Sequence, residues 1–326
     1  MNPPAIWLAP LRGVTLAPFR KRLFERFGGV SRAVAPFVPL GSGPSKMPRR
    51  VFADVLADFA SGRVVPQVIG RDPAALREAA AMLRDLGFSR LNLNCGCPWK
   101  FVARKGRGSG ILEDPDAFAR MLEAGCEAMP GGFSVKVRLG YRSPDALSAL
   151  VPVMNSFPLE RVFVHPRTGV QMYEGRADED AFARIFPSIA APVAYNGDIA
   201  TPEDAIRIAA RFPGLDGIMI GRGLCARPDL AERIAARFGE TPSPAPDSPP
   251  LPGLSARERI AAFAEALDSD YAAALFGPAP LLGRLKELWG YLHLSFETGT
   301  EGLRRIQRSR TPDELRAAVS SLVAGG

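Results

Sequence analysis

Histidine and cysteine are scarce in this chain: His165 and His293, and Cys95, Cys97, Cys126 and Cys225, in 326 residues. Four cysteines spread over so long a sequence do not make a disulfide framework. One C-x-C pair with no second pair and so few histidines does not supply a structural zinc site, so no metal is expected. No apolar run approaches the roughly 18 residues that a membrane-spanning helix needs, which predicts no membrane association. MNPPAIWLAP has neither a charged lead nor a long apolar core for export, so a reducing cytoplasm is the expected compartment. The fingerprint G-x-G-x-x-G is missing after the first strand, which argues against a doubly wound dinucleotide fold. Acid is the minority charge: 34 Asp+Glu against 41 Lys+Arg leaves a formal charge of +7 and a pI near 9.5, compatible with a nucleic-acid or phosphate-rich partner.

What is present is a large apolar fraction, 47%, enough for a sizeable core. Short β-rich runs recur with helical patterns between them: Ile6–Ala9, Arg32–Ala35, Val65–Ile69, Leu91–Asn94, Ser134–Val137, Arg161–His165, Pro192–Asn196 and Gly217–Ile220. Proline at a first helical position marks helix starts at Asp72-Pro73, Asp114-Pro115, Ser143-Pro144, Thr201-Pro202 and Arg227-Pro228. In Pro73–Leu86, the residues Leu76, Ala79, Ala80 and Leu83 fall on one face. Eight strands alternating with helices over residues 1–240 predict an α/β fold, a (β/α)₈ TIM barrel. Residues 241–253, TPSPAPDSPPLPG, read as a proline-rich linker. Residues 254–326 show only helical periodicity, clearest in Arg257–Ser269, Leu281–Leu294 and Pro312–Val323, and predict a small all-helical C-terminal domain.

In such a barrel the reactive residues gather at the C-terminal ends of the strands. Those ends carry Ala9-Pro10-Leu11, Gln67, Asn94 with Cys95 and Cys97, Lys136 with Arg138, His165, Asn196-Gly197-Asp198 and Gly221-Arg222. YNGDI and MIGRG supply glycines that let backbone N–H groups approach an anion and an arginine to clamp it, the pattern of a barrel phosphate site. Alternation puts Lys136 and Arg138 on the face opposite Val135 and Val137; if that face points inward, a buried lysine needs a negative partner or loses its charge. A reduced flavin, anionic at its N1–O2 edge, would be such a partner. Cys95 reads as a small buried thiol. Cys97, between Gly96 and Pro98, falls in a turn beyond the strand where a thiol can be exposed, next to a cationic loop with Lys100, Arg104, Lys105 and Arg107. His165 reads as a cofactor or substrate contact.

Together these motifs resemble the tRNA-dihydrouridine synthases, flavin enzymes that reduce the C5–C6 double bond of specific uridines in tRNA. LAPLRGVTLAPFR looks like the family's opening motif, PQVIG its glutamine motif, LNLNCGCP its cysteine motif, VKVRLG its lysine motif, VHPRT its histidine motif, and NGDI with MIGRG its phosphate loops. The resemblance implies FMN across the barrel mouth, its phosphate on Gly197, Asp198, Gly221 and Arg222, its ring near Gln67, Lys136 and His165, with Ala9, Pro10, Leu11 and Asn196 completing the cofactor set. It also implies NADPH as reductant, Cys97 as the general acid, and Asn94 and Arg138 at the uracil edge. The target base would be flipped into the pocket. NCGCP, with a cysteine before the glycine, looks like the bacterial branch acting on uridine 16. Some positions depart from the pattern: HGRT reads HPRT at Pro166, MAG reads LRG at Arg12, and the loop after Cys97, with Lys100, Arg104, Lys105 and Arg107, is a strongly cationic version.

The tRNA surface is expected to combine Lys100, Arg104 and Lys105 with the clusters Arg20-Lys21-Arg22, Lys46-Arg49-Arg50 and Arg304, Arg305, Arg308 and Arg310. Two alternatives stand beside this reading, a small-molecule FMN oxidoreductase on the same barrel and a non-catalytic flavin-binding tRNA chaperone. The cationic loop and the appended helices argue against the first, and Cys97, Asn94 and Lys136 in register argue against the second. A monomer is expected.

Overall fold

The computed structural model describes residues 4–41, 52–57, 59–240, 253–297 and 299–325. Lys46, Arg49 and Arg50, and all of the proline-rich linker except Gly253, lie outside the described residues.

Among the described residues, ten parallel strands form one sheet: β1 (Ala5–Leu8), β2 (Val30–Val34), β3 (Val38–Pro39), β4 (Val64–Val65), β5 (Gln67–Ile69), β6 (Leu91–Cys95), β7 (Phe133–Gly140), β8 (Arg161–Thr168), β9 (Val193–Tyr195) and β10 (Gly217–Ile220), in the order β3-β5-β6-β7-β8-β9-β10-β1-β2-β4. β4 and β5 are one predicted strand interrupted by Pro66, which has no N–H to give the ladder. The first half pairs with β2, Ala33 opposite Val64, and the second with β6, Gln67 opposite Asn92. This strand therefore joins the two ends of the sheet order and closes the barrel. All eight predicted strands are present, and β3 is an addition, a two-residue pairing with β5 at the rim.

Alternation divides the barrel's side chains cleanly. Leu8, Val68, Leu93, Val135, Val137, Val162, Val164, Ile218 and Ile220 belong to the large core between sheet and helices. Trp7, Ala9, Val34, Val65, Phe163, Ala194 and Met219 form a separate small cluster that fills the barrel interior, with Trp7 edge-on to Phe163 at 5.1 Å. The interior side of β5, β6 and β7 is polar instead.

The helices Pro73–Asp85, Pro115–Ala128 and Pro202–Arg211 start where predicted, each with proline in its first turn and a side-chain cap, from Asp72, Asp114 and Thr201. Two other starts are corrected. Pro144 and Pro228 lie in turns, and the helices begin at Ala146 and Leu230, after Asp145 and Asp229, whose side chains make no cap hydrogen bond.

The C-terminal helices are Ala256–Ala274, Pro278–Leu292, Gly299–Arg308 and Pro312–Ala324, the third without a counterpart among the predicted ones. They share one continuous core with the barrel. Phe263 meets Phe19 and Phe27 of the first barrel helix edge-on, at 5.3 and 5.7 Å. Arg22 grips Asp270 through two 2.7 Å hydrogen bonds. Pro278–Leu292 packs on the short helix Arg222–Ala226, and Arg284 donates to the Gly13 carbonyl in the loop after β1.

Candidate active site at the carboxyl ends of the strands

The polar side of the barrel interior is a chain of buried amides. Gln67 Nε2 donates to Asn92 Oδ1 at 2.7 Å and Asn92 Nδ2 to Ser134 Oγ at 2.9 Å, while Asn94 Nδ2 donates to Gln67 Oε1 at 2.9 Å. Asn94 Oδ1 accepts the N–H groups of Gly96, at 3.1 Å, and Cys97, at 2.8 Å. Buried amides are costly unless paired, so this chain fixes Asn94 and, through it, the turn holding Cys97.

Cys97 is 7% exposed, which corrects the expectation of an exposed thiol. The turn folds back over it: Ser109 donates to the Cys97 carbonyl through both N–H, at 3.0 Å, and Oγ, at 2.9 Å. Burial pushes the thiol's pKa up, opposed by the Trp99 backbone N–H and by the charges of Arg138 and Arg12. The group is held protonated yet poised beside cations. Cys95 is fully buried, and burial raises its pKa too.

In β7, Lys136 lies beside Asn94 in register and projects inward with it. It makes no hydrogen bond or ion pair among the described residues. Burial, and next Arg138, lower its pKa to about 7. His165, opposite Arg138 on β8, is buried, and its pKa is held well below the usual histidine range by burial and by Lys136, Arg138, Arg167 and Arg222. Its Nε2 is 2.9 Å from Arg167 NH1. A guanidinium only donates, so Nε2 accepts and the neutral ring carries its proton on Nδ1.

Arg138 is 1% exposed and acts as a staple: Nε donates to Gly96 O at 3.0 Å, and NH1 to Thr168 O and Met172 O at 2.7 and 2.6 Å. It ties the cysteine turn to the loop after β8. Arg167, which the sequence reading left without a role, is the matching staple, binding His165, Gly175 O and Asp198. Its Nε is buried without a partner. Tyr173, also missed, stands 54% exposed in the mouth, 6.3 Å from the His165 ring, with Arg138 and Arg222 over its own ring at 5.2 and 5.5 Å. Arg167 repeats the inward position of His165 two residues on, a signal that period-2 reading could have used. Tyr173 lies in an aperiodic loop and gave none.

The loops after β9 and β10 touch. A Cβ on Gly223 would sit 2.2 Å from Ile199 O, a backbone atom, so that position requires glycine, while one on Gly221 would sit 2.8 Å from Leu11 Cδ1, a side-chain end that can move aside. Asn196 Nδ2 donates to Met219 O at 2.7 Å and holds the loops together. Asp198, at φ +45°, binds Arg167 at 2.6 Å and Arg222 at 3.2 Å, and accepts the Ala177 N–H. Burial pushes its pKa up, but those donors outweigh it and the carboxylate stays ionised. The N–H groups of Gly197 and Asp198 donate to nothing among the described residues. The short helix Arg222–Ala226 begins at Gly221, and its first amides have no acceptor within the helix. The mouth thus gathers Lys136, Arg138, Arg167 and Arg222 around His165, with Asp198 paired to Arg167 and Arg222, an arrangement suited to a large anion.

Two basic clusters fare differently. Arg20 is fully buried, donating to Thr15 O and Asp54, and Arg22 is engaged with Glu25 and with Asp270 of the C-terminal helices, so these two are corrected to structural use, while Lys21 between them is exposed. Arg304, Arg305, Arg308 and Arg310 are exposed, with Arg305 paired to Glu301 at 2.9 Å. Among the described residues no helix is long and apolar enough to cross a membrane.

The family model for dihydrouridine synthase matches residues 7–258. The probable tRNA-dihydrouridine synthase of Rhodobacter capsulatus is 34% identical over 228 residues, covering 68% of this chain and 68% of that protein. The tRNA-dihydrouridine synthase B of Pseudomonas aeruginosa is 33% identical over 224 residues, 68% of this chain and 65% of the relative, so the match spans about two thirds of each relative's length. Among solved structures, morphinone reductase superposes with a TM-score of 0.53 at 14% identity, covering 75% of this chain and 89% of that chain. The old yellow enzyme homologue from Zymomonas mobilis gives 0.54 at 14%, covering 76% and 93%; at such identity the likeness is one of fold.

Proposed function

The chain belongs to the dihydrouridine synthase family, and we propose that it uses FMN and NADPH to reduce one uridine of tRNA, position 16 of the D-loop, to 5,6-dihydrouridine, with Cys97 as general acid. The observation that carries the reading is Lys136, an inward lysine with no carboxylate partner, set between the Asn94–Cys97 turn and His165. Such a group calls for an anionic ligand.

The residues present fit FMN. The paired glycine loops with their open amides suit its phosphate, with Arg222 as the clamp and Asp198 orienting Arg222 and Arg167 in place of touching the phosphate. Lys136, the remaining Nε2 proton of Gln67 and the Nδ1 proton of His165 would hold the ring's polar edge. Ala9 and Leu11 lie against Gly221, and Pro10 between them would complete the cofactor set. Held there, FMN would supply the two-electron chemistry for the uracil C5–C6 bond, with NADPH as the proposed reductant.

The chain's own residues do the rest. Cys97 keeps its proton until the base is seated, because burial disfavours the thiolate, then transfers it from Sγ to C5, where Arg138 and Arg12 stabilise the thiolate left behind. Asn94 sets where Sγ stands through the Cys97 N–H, and its second Nδ2 proton is available to a uracil carbonyl. Arg138 holds the turn against the loop after β8, closing the base pocket beside Tyr173. Position 16 rests on Cys95 preceding Gly96 in the cysteine motif. Exposed Arg304 and Arg308 and the cations after Cys97 are the proposed tRNA contacts. A monomer in the cytoplasm, where free cysteines persist, completes the reading.

Purified protein, incubated with NADPH and tRNA lacking modifications, tests it. The expected result is a flavin spectrum that bleaches with NADPH and a gain of two mass units in one uridine-containing fragment. Flavin reduction with no change in any tRNA fragment would return the small-molecule oxidoreductase to first place.

A further inference from the structure

The turn that carries Cys97 presents groups that proton transfer does not use. From Cys97 to Ser109 the chain doubles back on itself, with Gly108 at φ +58° packed against the Cys97 carbonyl and Gly110 against Ala103 O, where added Cβ atoms would come within 2.7 and 2.1 Å. Val102 and Ala103 donate to Trp99 O, forming the one-turn helix Lys100–Ala103. The turn is therefore anchored at its base, and its apex faces outward. On that apex Trp99 is 62% exposed and Phe101 76%. Neither ring contacts another aromatic ring or a cation among the described residues.

Large apolar rings left in water on a well-anchored turn point to a partner. Its chemistry is set by what lies between them: Lys100, Arg104 and Lys105 are on the same turn, all exposed, and no acidic residue occurs from Pro98 to Leu112. Rings interleaved with cations suit unpaired nucleotides, the faces taking bases and the charges taking phosphates. The Trp99 backbone N–H favours the Cys97 thiolate, and Trp99 and Phe101 follow the proposed acid by two and four residues. Extruding a base leaves its neighbours without a stacking partner, and a ring at that distance can replace it.

Resting on the tRNA reading above, we propose that Trp99 and Phe101 form a stacking platform for the unpaired nucleotides flanking the target uridine, with Lys100, Arg104 and Lys105 on their phosphates.

The test measures affinity of the flavin-loaded protein for unmodified tRNA across a salt series, together with fluorescence of 2-aminopurine placed beside the target uridine. Trp99→Ala with Phe101→Ala should weaken binding by about tenfold to a hundredfold and abolish the 2-aminopurine response. It should leave the slope of log K against log salt unchanged, because no charge is removed. Trp99→Phe with Phe101→Tyr should retain both signals. Lys100→Ala, Arg104→Ala and Lys105→Ala together should reduce the slope. If the double alanine variant fails to fold, Trp99→Leu with Phe101→Leu, which keeps apolar bulk without a ring, carries the same expectation. Wild-type affinity and response in the ringless variants overturn the platform and leave the synthase reading standing. A wild-type protein that binds no tRNA overturns both.

Discussion

Asn94 Oδ1 accepts the Cys97 N–H at 2.8 Å, and its Nδ2 donates to Gln67 at 2.9 Å, so one strand-end amide couples the barrel's interior to the turn of the reactive thiol. Asn94→Ala removes the acceptor for two N–H groups and leaves Gln67 Oε1 unpaired. It should cost about 1–3 kcal/mol of stability, read as a lower urea midpoint, and lower turnover more than tRNA affinity. Asn94→Asp keeps the acceptor and should recover part of the stability.

Lys136 gives a pH signature. Its folded pKa, about 7, lies below the ordinary 10.5, so between those values the unfolded chain binds more protons and stability rises with pH. The penalty for a charged, unpartnered lysine is fully present below about pH 7. Flavin-free protein should therefore gain stability from pH 7 to 10, and Lys136→Met should flatten that rise while stabilising the protein at pH 6. Thermal melts across the range check it; parallel profiles for the two proteins would show that the lysine is partnered.

Gly223→Ala places a methyl group 2.2 Å from Ile199 O, a backbone atom that cannot step aside cheaply. The loops after β9 and β10 should separate, and flavin should be lost on gel filtration, while the far-ultraviolet circular dichroism stays that of the wild type.

Arg304 and Arg308 are exposed, whereas Arg305 already pairs with Glu301. Arg304→Ala with Arg308→Ala should weaken tRNA binding at low salt and reduce the salt slope by up to about 2, with NADPH oxidation unchanged. Arg305→Ala should have the smaller effect.

Much of this architecture was legible because strands and helix starts are local signals. Val135 and Val137 alternate with Lys136 and Arg138, and Asp72, Asp114 and Thr201 stand just before prolines, so strand faces and helix beginnings followed. Pro144 and Pro228 misled because proline also suits a turn just ahead of a cap. The site residues were legible as a set of strand ends, but their partners were not. That Arg138 would be engaged by the carbonyls of Gly96, Thr168 and Met172, Arg167 by Asp198, and Arg20 by Asp54 depends on contacts between segments far apart in sequence. Cys97 looked exposed because Gly96 and Pro98 mark a turn; the chain returning through Gly108 and Ser109 covers it. Tyr173 belongs to a loop with no period at all.

The most direct measurement of the central claim is mass spectrometry of digested tRNA from a strain lacking this gene, mapping dihydrouridine by position, with the wild-type gene or the Cys97→Ala variant returned. The account predicts loss of dihydrouridine at position 16 alone, restored by the wild type and not by Cys97→Ala. Persistence of every dihydrouridine in the deletion strain, or full restoration by Cys97→Ala, would contradict it.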